Sequence, residues 1–324
     1  MKVCIVLLPY CSSMSVAAAM EFFEVANALS AYAQQSTDEP VFQVSTASPD
    51  GQAVMSSGGL SLQAQYSFAQ VDECDLVLIP GFLFKVTPLL AQLQSVVPWL
   101  QQRYEQGSYI ASMCTGAFVS AAAGLLDGKQ ASTHWLFVDK FRQLYPAVKL
   151  RPEKAVTDDQ RVMCSGGATT GGDLLLYIVR KFCSPQLALE CSKKMLMDSG
   201  ERQQTAYASE QFRRQHDDPE VQRVQLWLEQ HCHQAIVLDD VATQFGFSSR
   251  NFVRRFRLAT GAPPVQYLQN LRLEKARLLL ETTRISFEKI TLQVGYEDSN
   301  SFRRLFKQRV GLSPAQYRQK FLLN

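Results

Sequence analysis

No Cys-x-x-Cys pair occurs in the chain, and its eight cysteines (Cys4, Cys11, Cys74, Cys114, Cys164, Cys183, Cys191, Cys232) follow no regular spacing. That argues against a zinc ribbon and a disulfide framework; thiols scattered among apolar residues read as reduced and buried. No stretch approaches the roughly 18–20 continuous apolar residues of a membrane span. The opening MKVCIVLLP stops its short apolar run at Pro9, and no cleavage-like region follows, so it is not read as a secretory signal. A phosphate-cradling glycine loop of the Walker type is also missing. Histidine is scarce, with four in the whole chain and only His134 before residue 200. The cluster His231-Cys232-His233 is a poor metal site, because alternate helical residues diverge and no fourth ligand is near; it reads as surface. These absences imply no metal and no cofactor, and point to a soluble, cytoplasmic protein with no membrane partner.

A length of 324 residues leaves room for two cores. The net charge of +3 hides an asymmetry. Residues 219–324 hold 16 Lys and Arg against 9 Asp and Glu, whereas residues 1–218 hold 17 against 21. A basic C-terminal third attached to a slightly acidic remainder suits a polyanion-binding module.

That basic third contains one pattern twice. Val241-Ala242, Gly246-Phe247, Phe252, Phe256, Gly261, Pro264 and Tyr267 recur as Ile290-Thr291, Gly295-Tyr296, Phe302, Phe306, Gly311, Pro314 and Tyr317. The first glycines are 49 positions apart and everything from Phe252 and Phe302 onward is 50 apart, so the second turn has gained a residue. Each copy reads as a helix-turn-helix, at about 238–259 and about 287–308, joined by a linker helix near 265–281. Phe252, Phe256 and Ala259 share one helical face, which buries it, and Leu268, Leu271, Ala276 and Leu279 of the linker helix face the core. Ser248-Ser249 and Asp298 stand where helix caps are expected. The outward residues are Ser249, Arg250, Asn251, Arg254 and Arg257 in the first copy, and Ser299, Asn300, Arg303, Arg304 and Lys307 in the second.

Arg254 and Arg304 both lie two residues before a buried phenylalanine, and an arginine there can donate twice to guanine O6 and N7. Asn251 and Asn300, taken as a matched pair, suit adenine or phosphate. Arg255, Arg303 and Lys307 suit phosphate, which positions a protein without specifying sequence.

Residues 1–183 read differently. Short apolar strands (Val3–Leu8, Val41–Thr46, Leu76–Pro80, Ser108–Ser112) alternate with helices (Val16–Tyr32, Pro88–Glu105, Thr115–Gly124), the pattern of a parallel sheet covered on both faces. Ligands of such sheets bind outside the carboxyl ends of the strands, where Gly81 and Cys114 fall. Around Cys114 a strand passes directly into a helix among small residues, the arrangement of a nucleophile elbow. The following helix N-terminus favours a thiolate there. A helix within Leu187–Asp198 closes this domain, and residues 184–218 as a whole connect it to the domain at 219–324.

The stretch Cys114-Thr-Gly-Ala-Phe, with Gly124-Leu-Leu-Asp-Gly128, His134-Trp135 and the upstream Leu78-Ile-Pro-Gly81, resembles the DJ-1/PfpI domain. Gly166-Gly167-Ala168-Thr169 and Asp173-Leu174 fit the same domain. The resemblance implies an α/β, flavodoxin-like (class I glutamine amidotransferase-like) parallel-sheet domain. Enzymatic members pair a reactive cysteine with a histidine and often an acid after the first strand. Here Ser15 takes the acid's place and Thr115 follows the cysteine where protease-like members have His. Cys114 and His134 alone could still act as nucleophile and base on an amide or related substrate. The reading favoured is non-enzymatic: a sensing pocket bounded by Gly81, Phe82, Cys114, Thr115 and His134.

The duplicated Gly-Phe/Tyr, the Phe-x-x-x-Phe, the Gly-x-x-Pro-x-x-Tyr ending and the linker-helix Leu271-Arg-Leu-Glu-Lys-Ala276 resemble the AraC/XylS family of transcription regulators. Thr291 departs from the alanine usual there. A DJ-1-like domain joined to this all-α module with two helix-turn-helix units is similar to the GlxA type. That resemblance implies promoter DNA as partner, with RNA polymerase, a homodimer and a small effector, an amino acid or quaternary amine.

Overall fold

The computed structural model describes residues 1–34, 39–82, 85–90, 93–167, 170–197, 206–207 and 216–322. It divides into two compact units, Met1–Gln204 and Thr205–Asn324. Ala168-Thr169 and, within the expected connector, residues 198–205 and 208–215 lie outside the described residues.

In the first unit, β1 (Lys2–Val6), α1 (Ser13–Gln34) and β2 (Gln43–Ser48) open a doubly wound chain. The short strands β3 (Val54–Met55), β4 (Ser61–Leu62) and β5 (Tyr66–Ser67) follow, then β6 (Leu76–Ile79), α2 (Val86–Leu90), α3 (Val97–Glu105) and β7 (Tyr109–Ser112). The unit continues with α4 (Ala117–Ala122), β8 (Gln130–Ala131), α5 (Val138–Leu144), β9 (Lys149–Leu150), β10 (Val156–Asp159), β11 (Val162–Ser165), α6 (Gly171–Phe182) and α7 (Pro185–Lys194). Among the described residues a seven-stranded sheet runs β10-β11-β7-β6-β1-β2-β5. Every residue of β6 (Leu-Val-Leu-Ile) and β11 (Val-Met-Cys-Ser) is buried, as strands covered by helices on both faces are.

Three local differences from the sequence reading have physical causes. The expected all-parallel sheet ends in an antiparallel pair, β10 with β11, because only Gln160 and Arg161, both at positive φ, separate the two strands. A hairpin that tight cannot return parallel. The expected helix Pro88–Glu105 is two helices, α2 ending at Leu90 and α3 starting at Val97, with Pro98 in the first turn of α3, where its missing N–H costs no helical bond. The closing helix begins at Pro185, under a cap in which Ser184 Oγ accepts from Leu187 N–H at 3.1 Å, and stops at Lys194. Leu187, Ala188 and Cys191 place it in the first unit's core.

The second unit comprises α8 (Pro219–His231), α9 (Leu238–Gln244), α10 (Ser249–Thr260), α11 (Pro264–Thr282), α12 (Phe287–Gln293), α13 (Ser299–Val310) and α14 (Pro314–Phe321). It has two hydrophobic cores. Val221, Val224, Leu228, Phe252, Phe256 and Tyr267 belong to one; Ile290, Phe302, Phe306 and Tyr317 belong to the other. The linker helix α11 serves both, giving Leu268 and Leu271 to the first and Leu273, Ala276 and Leu280 to the second. Leu279, expected inside, is only half-buried. Cys232, expected at the surface with its neighbours, is buried in the first core, while the His231 ring stacks on Trp227. Among the described residues no helix is long and apolar enough to cross a membrane.

Candidate DNA-reading helices and effector pocket

The repeat is visible in the bonds that close each half. Tyr267 donates to Glu229 Oε1 at 3.1 Å, and Tyr317 donates to Glu281 Oε1 at 2.6 Å. Helices α10 and α13 end alike, on Gly261 at φ +84° and Gly311 at φ +82°, a left-handed cap that only glycine adopts without strain. They begin differently. Asp298 accepts from the N–H groups of Asn300 (3.1 Å) and Ser301 (3.0 Å), whereas Ser248 occupies the cap position of α10 without a side-chain bond. Thr291 keeps its hydroxyl satisfied inside the second core by donating to Phe287 O at 2.8 Å, so the departure from alanine is harmless.

Arg250, Val253, Arg254 and Arg257 form the exposed face of α10; Asn300, Arg303, Arg304 and Lys307 form that of α13. Arg254 and Arg304 occupy the same place in their helices. Arg254 Nη2 donates to Asn251 Oδ1 at 3.0 Å, and Arg304 Nη2 donates to Ser301 Oγ at 3.3 Å. Those bonds correct the pairing of the asparagines. Helices α10 and α13 start at Ser249 and Ser299, so Asn251 corresponds to Ser301, and Asn300 to Arg250. The residue gained in the second turn lies before the helix, which makes the 49-residue match of the asparagines a coincidence of sequence.

Two of the expected phosphate ligands already have carboxylate partners within the domain, Arg255 in a part-buried pair and Arg303 in an exposed one. Arg255 donates to both carboxylate oxygens of Asp218, from Nη2 at 2.6 Å and Nε at 3.0 Å, and lies over the Phe247 ring. Arg303 donates to Glu288 at 2.8 Å and lies over Phe287. Lys307 stays exposed, as do Ser249 and, on the same face as Arg254, Arg257, whereas Asn251 and Ser299, expected to face outward, are half-buried. The sequence offered no sign of the Arg255–Asp218 pair, because its members are 37 positions apart.

At the carboxyl end of the first sheet, Cys114 has φ +54°, the left-handed backbone of an elbow. The chain can turn there because Gly116 lies against the end of β6. A Cβ on Gly116 would stand 2.6 Å from Pro80 O and 2.8 Å from Ile79 O. Gly81 serves the same closeness: a Cβ there would meet Cys114 Cβ at 3.2 Å and Ser15 Oγ at 3.6 Å. Two hydrogen bonds pin the elbow, from Phe82 N–H to Thr115 Oγ1 at 2.7 Å and from Thr133 Oγ1 to Cys114 O at 3.1 Å. Gly81, Phe82, Cys114 and Thr115 are thus brought together with Ser15. Phe82 and Thr115 are fully buried, so they shape the wall rather than face a ligand.

Burial pushes the Cys114 thiol up to about 11, so it is protonated near neutrality. Burial also holds the half-buried His134 below its usual value, keeping the ring neutral. Its Nδ1 accepts from Leu136 N–H at 3.1 Å, which leaves the ring proton on Nε2. The basic lone pair is therefore already used. Trp135 and Phe137 flank the ring, with centroids at 5.4 Å and 6.1 Å.

Residues 1–181 match the DJ-1/PfpI family, over more than half of the chain. The protein belongs to that family. Residues 241–320 match a helix-turn-helix domain, and the pair of such units is of the AraC type. This DJ-1/PfpI chain is 29% identical over 314 residues to the HTH-type transcriptional regulator CdhR of Pseudomonas aeruginosa, covering 96% of this chain and 90% of that one. Half of the chain is also similar to an isonitrile hydratase of Pseudomonas putida, 33% identical over 168 residues, 50% of this chain and 71% of that one. The crystal structure of an AraC family transcriptional regulator from Pseudomonas putida superposes with a TM-score of 0.51 at 28% identity, over 60% of this chain and 98% of that one. In this chain the elbow cysteine, Cys114, has a left-handed backbone and a buried side chain.

Proposed function

We propose that the chain is a cytoplasmic transcription regulator whose helices α10 and α13 read promoter DNA in adjacent major grooves. Its first unit binds a small metabolite beside Cys114 and pairs two copies. One observation carries the DNA reading: two helices of equal length, each closed by the same glycine cap, present an exposed arginine at the same position. Arg254 and Arg304 read guanine. Asn251 and Ser301 steady them from one turn earlier, while Arg250, Asn300 and Lys307 reach neighbouring bases and phosphates. Arg255 acts first as internal scaffold, and Arg303, paired with Glu288 at the surface, stays available to phosphate. The DJ-1/PfpI unit supplies the effector site and the homodimer contact, and the bound regulator works on RNA polymerase at the promoter. An amino acid or quaternary amine suits a pocket beside a neutral histidine flanked by aromatic rings.

Footprinting on the DNA upstream of the gene, with wild type, Arg254→Ala and Arg304→Ala, tests the reading. Each variant should lose about 1–3 kcal/mol of discrimination at one guanine. Unchanged sequence preference in both would sink the assignment. A metabolite screen by thermal shift tests the pocket, because a ligand of the folded state raises its melting temperature with occupancy.

A second reading has one observation in its favour, the left-handed Cys114 of an enzyme-like elbow. We read the domain as non-enzymatic because the thiol is buried, the His134 lone pair is occupied and Ser15 stands in the acid's place. Turnover of an isonitrile, amide or aldehyde that Cys114→Ala abolishes would reverse that reading.

A further inference from the structure

The two halves of the second unit share more than the linker helix. Helix α8 ends in the first core, and the chain turns away through Cys232, His233 and Gln234. Arg272, midway along α11, donates from Nε to Cys232 O and from Nη2 to Gln234 O, both at 2.8 Å. The same guanidinium lies 5.0 Å from the ring centre of Tyr296, in the turn of the second helix-turn-helix. Tyr296 in turn stacks on Phe302 of α13, with centroids 4.4 Å apart.

Gly295 beside it is constrained twice. Its φ is +88°, and a Cβ would stand 2.9 Å from Cys232 O and from the carbonyl carbon and oxygen of His233. Those are backbone atoms, which cannot swing aside. The equivalent glycine of the first copy, Gly246, shares the left-handed backbone at φ +77°, yet a Cβ there would meet nothing within 4 Å. The backbone requirement is a property of the repeat; the contact belongs to the second copy alone.

We propose that Arg272 and Gly295 form a latch that sets the spacing and angle between α10 and α13. A single helix passing between two cores leaves them free to bend and twist about it. The latch ties the end of α8 in the first core to the turn that starts α13, and so removes that freedom. Arg272 is a positioning residue: it presents both reading helices at one separation, and the second binding event then proceeds at high effective concentration. This inference rests on α10 and α13 both reading DNA.

The test uses the full chain and duplexes enriched from a random pool by the wild type. Those duplexes are then rebuilt with one half-site scrambled, or with one base pair inserted or removed between half-sites. Arg272→Ala should lose about tenfold in affinity for the intact site, bind the single half-site as wild type does, and discriminate less against altered spacing. Gly295→Ala should act likewise, and Gly246→Ala should leave spacing preference unchanged. Arg272→Lys, which keeps the charge and stem but can reach only one carbonyl at a time, should fall between and guards against misfolding of the alanine variant. Equal losses on intact and half-sites, or unaltered spacing preference in both Arg272 variants, would overturn the latch. Enrichment of single half-sites by the wild type would overturn it too, while leaving DNA binding standing. Enrichment of nothing would remove the DNA reading itself.

Discussion

Arg255 on the first reading helix closes on Asp218 through two hydrogen bonds, and Asp218 is also the residue that caps α8 by accepting from Val221 N–H at 3.2 Å. One carboxylate thus joins the start of the DNA-binding unit to α10. Hydrogen bonding from Arg255 holds the Asp218 carboxyl below its ordinary range. A depressed folded value means the stabilisation is complete above the unfolded value of about 4 and is lost as pH falls through the lowered folded value. Asp218→Asn should therefore destabilise the unit at neutral pH and shrink the acid-side fall in melting temperature. The effect should be modest, because the pair is partly exposed. Parallel pH profiles for variant and wild type would show that the pair contributes nothing.

Gly116 sits where a methyl group would collide with two backbone carbonyls. Gly116→Ala should cost the first unit about 1–3 kcal/mol or more, because the obstructing atoms belong to the sheet and cannot rotate away. Denaturant melts of the full chain, followed by Trp99 and Trp135 fluorescence in the first unit, measure it. An unchanged midpoint would mean that the elbow is not packed against β6 as described.

A thiol pushed up to about 11 by burial should be slow to alkylate. At pH 8 on the order of one Cys114 in a thousand carries the thiolate, and the rate should climb about tenfold per pH unit through pH 10. Peptide mapping after iodoacetamide treatment resolves this cysteine from the other seven. Rapid modification of Cys114 at neutral pH would contradict the dry pocket and revive the enzymatic reading.

Lys307 is exposed on α13 and is assigned to phosphate. Lys307→Ala should weaken binding to all duplexes alike and reduce the slope of log affinity against log salt by about 0.9. Arg304→Ala should instead change which sequence is preferred. A Lys307 variant with altered sequence preference and an unchanged salt slope would exchange the two roles.

Much of this was legible in the chain itself. Phe252, Phe256, Phe302 and Phe306 declare their buried faces by spacing alone, and Gly261 and Gly311 mark helix ends by a backbone that other residues resist. The elbow at Cys114 was readable because strand, small residues and helix follow one another without a gap. Other features were hidden. The offset of Asn251 from Asn300 depends on where each helix starts, which a capping bond at Asp298 decides. The stretch 88–105, whose apolar pattern looks continuous, divides into α2 and α3.

Local order determined the type of each element, the duplication, the charge imbalance and the residues that seek burial, since these follow from backbone sterics and from apolar periodicity along a few turns. Tertiary packing decided which charges remain available. Arg254 and Arg255 are neighbours of one chemical kind, yet one keeps to its own helix face and the other is committed to a carboxylate far away in the chain. Partner choice over such separations is set by the meeting of helix ends, a three-dimensional condition that no spacing along the chain encodes.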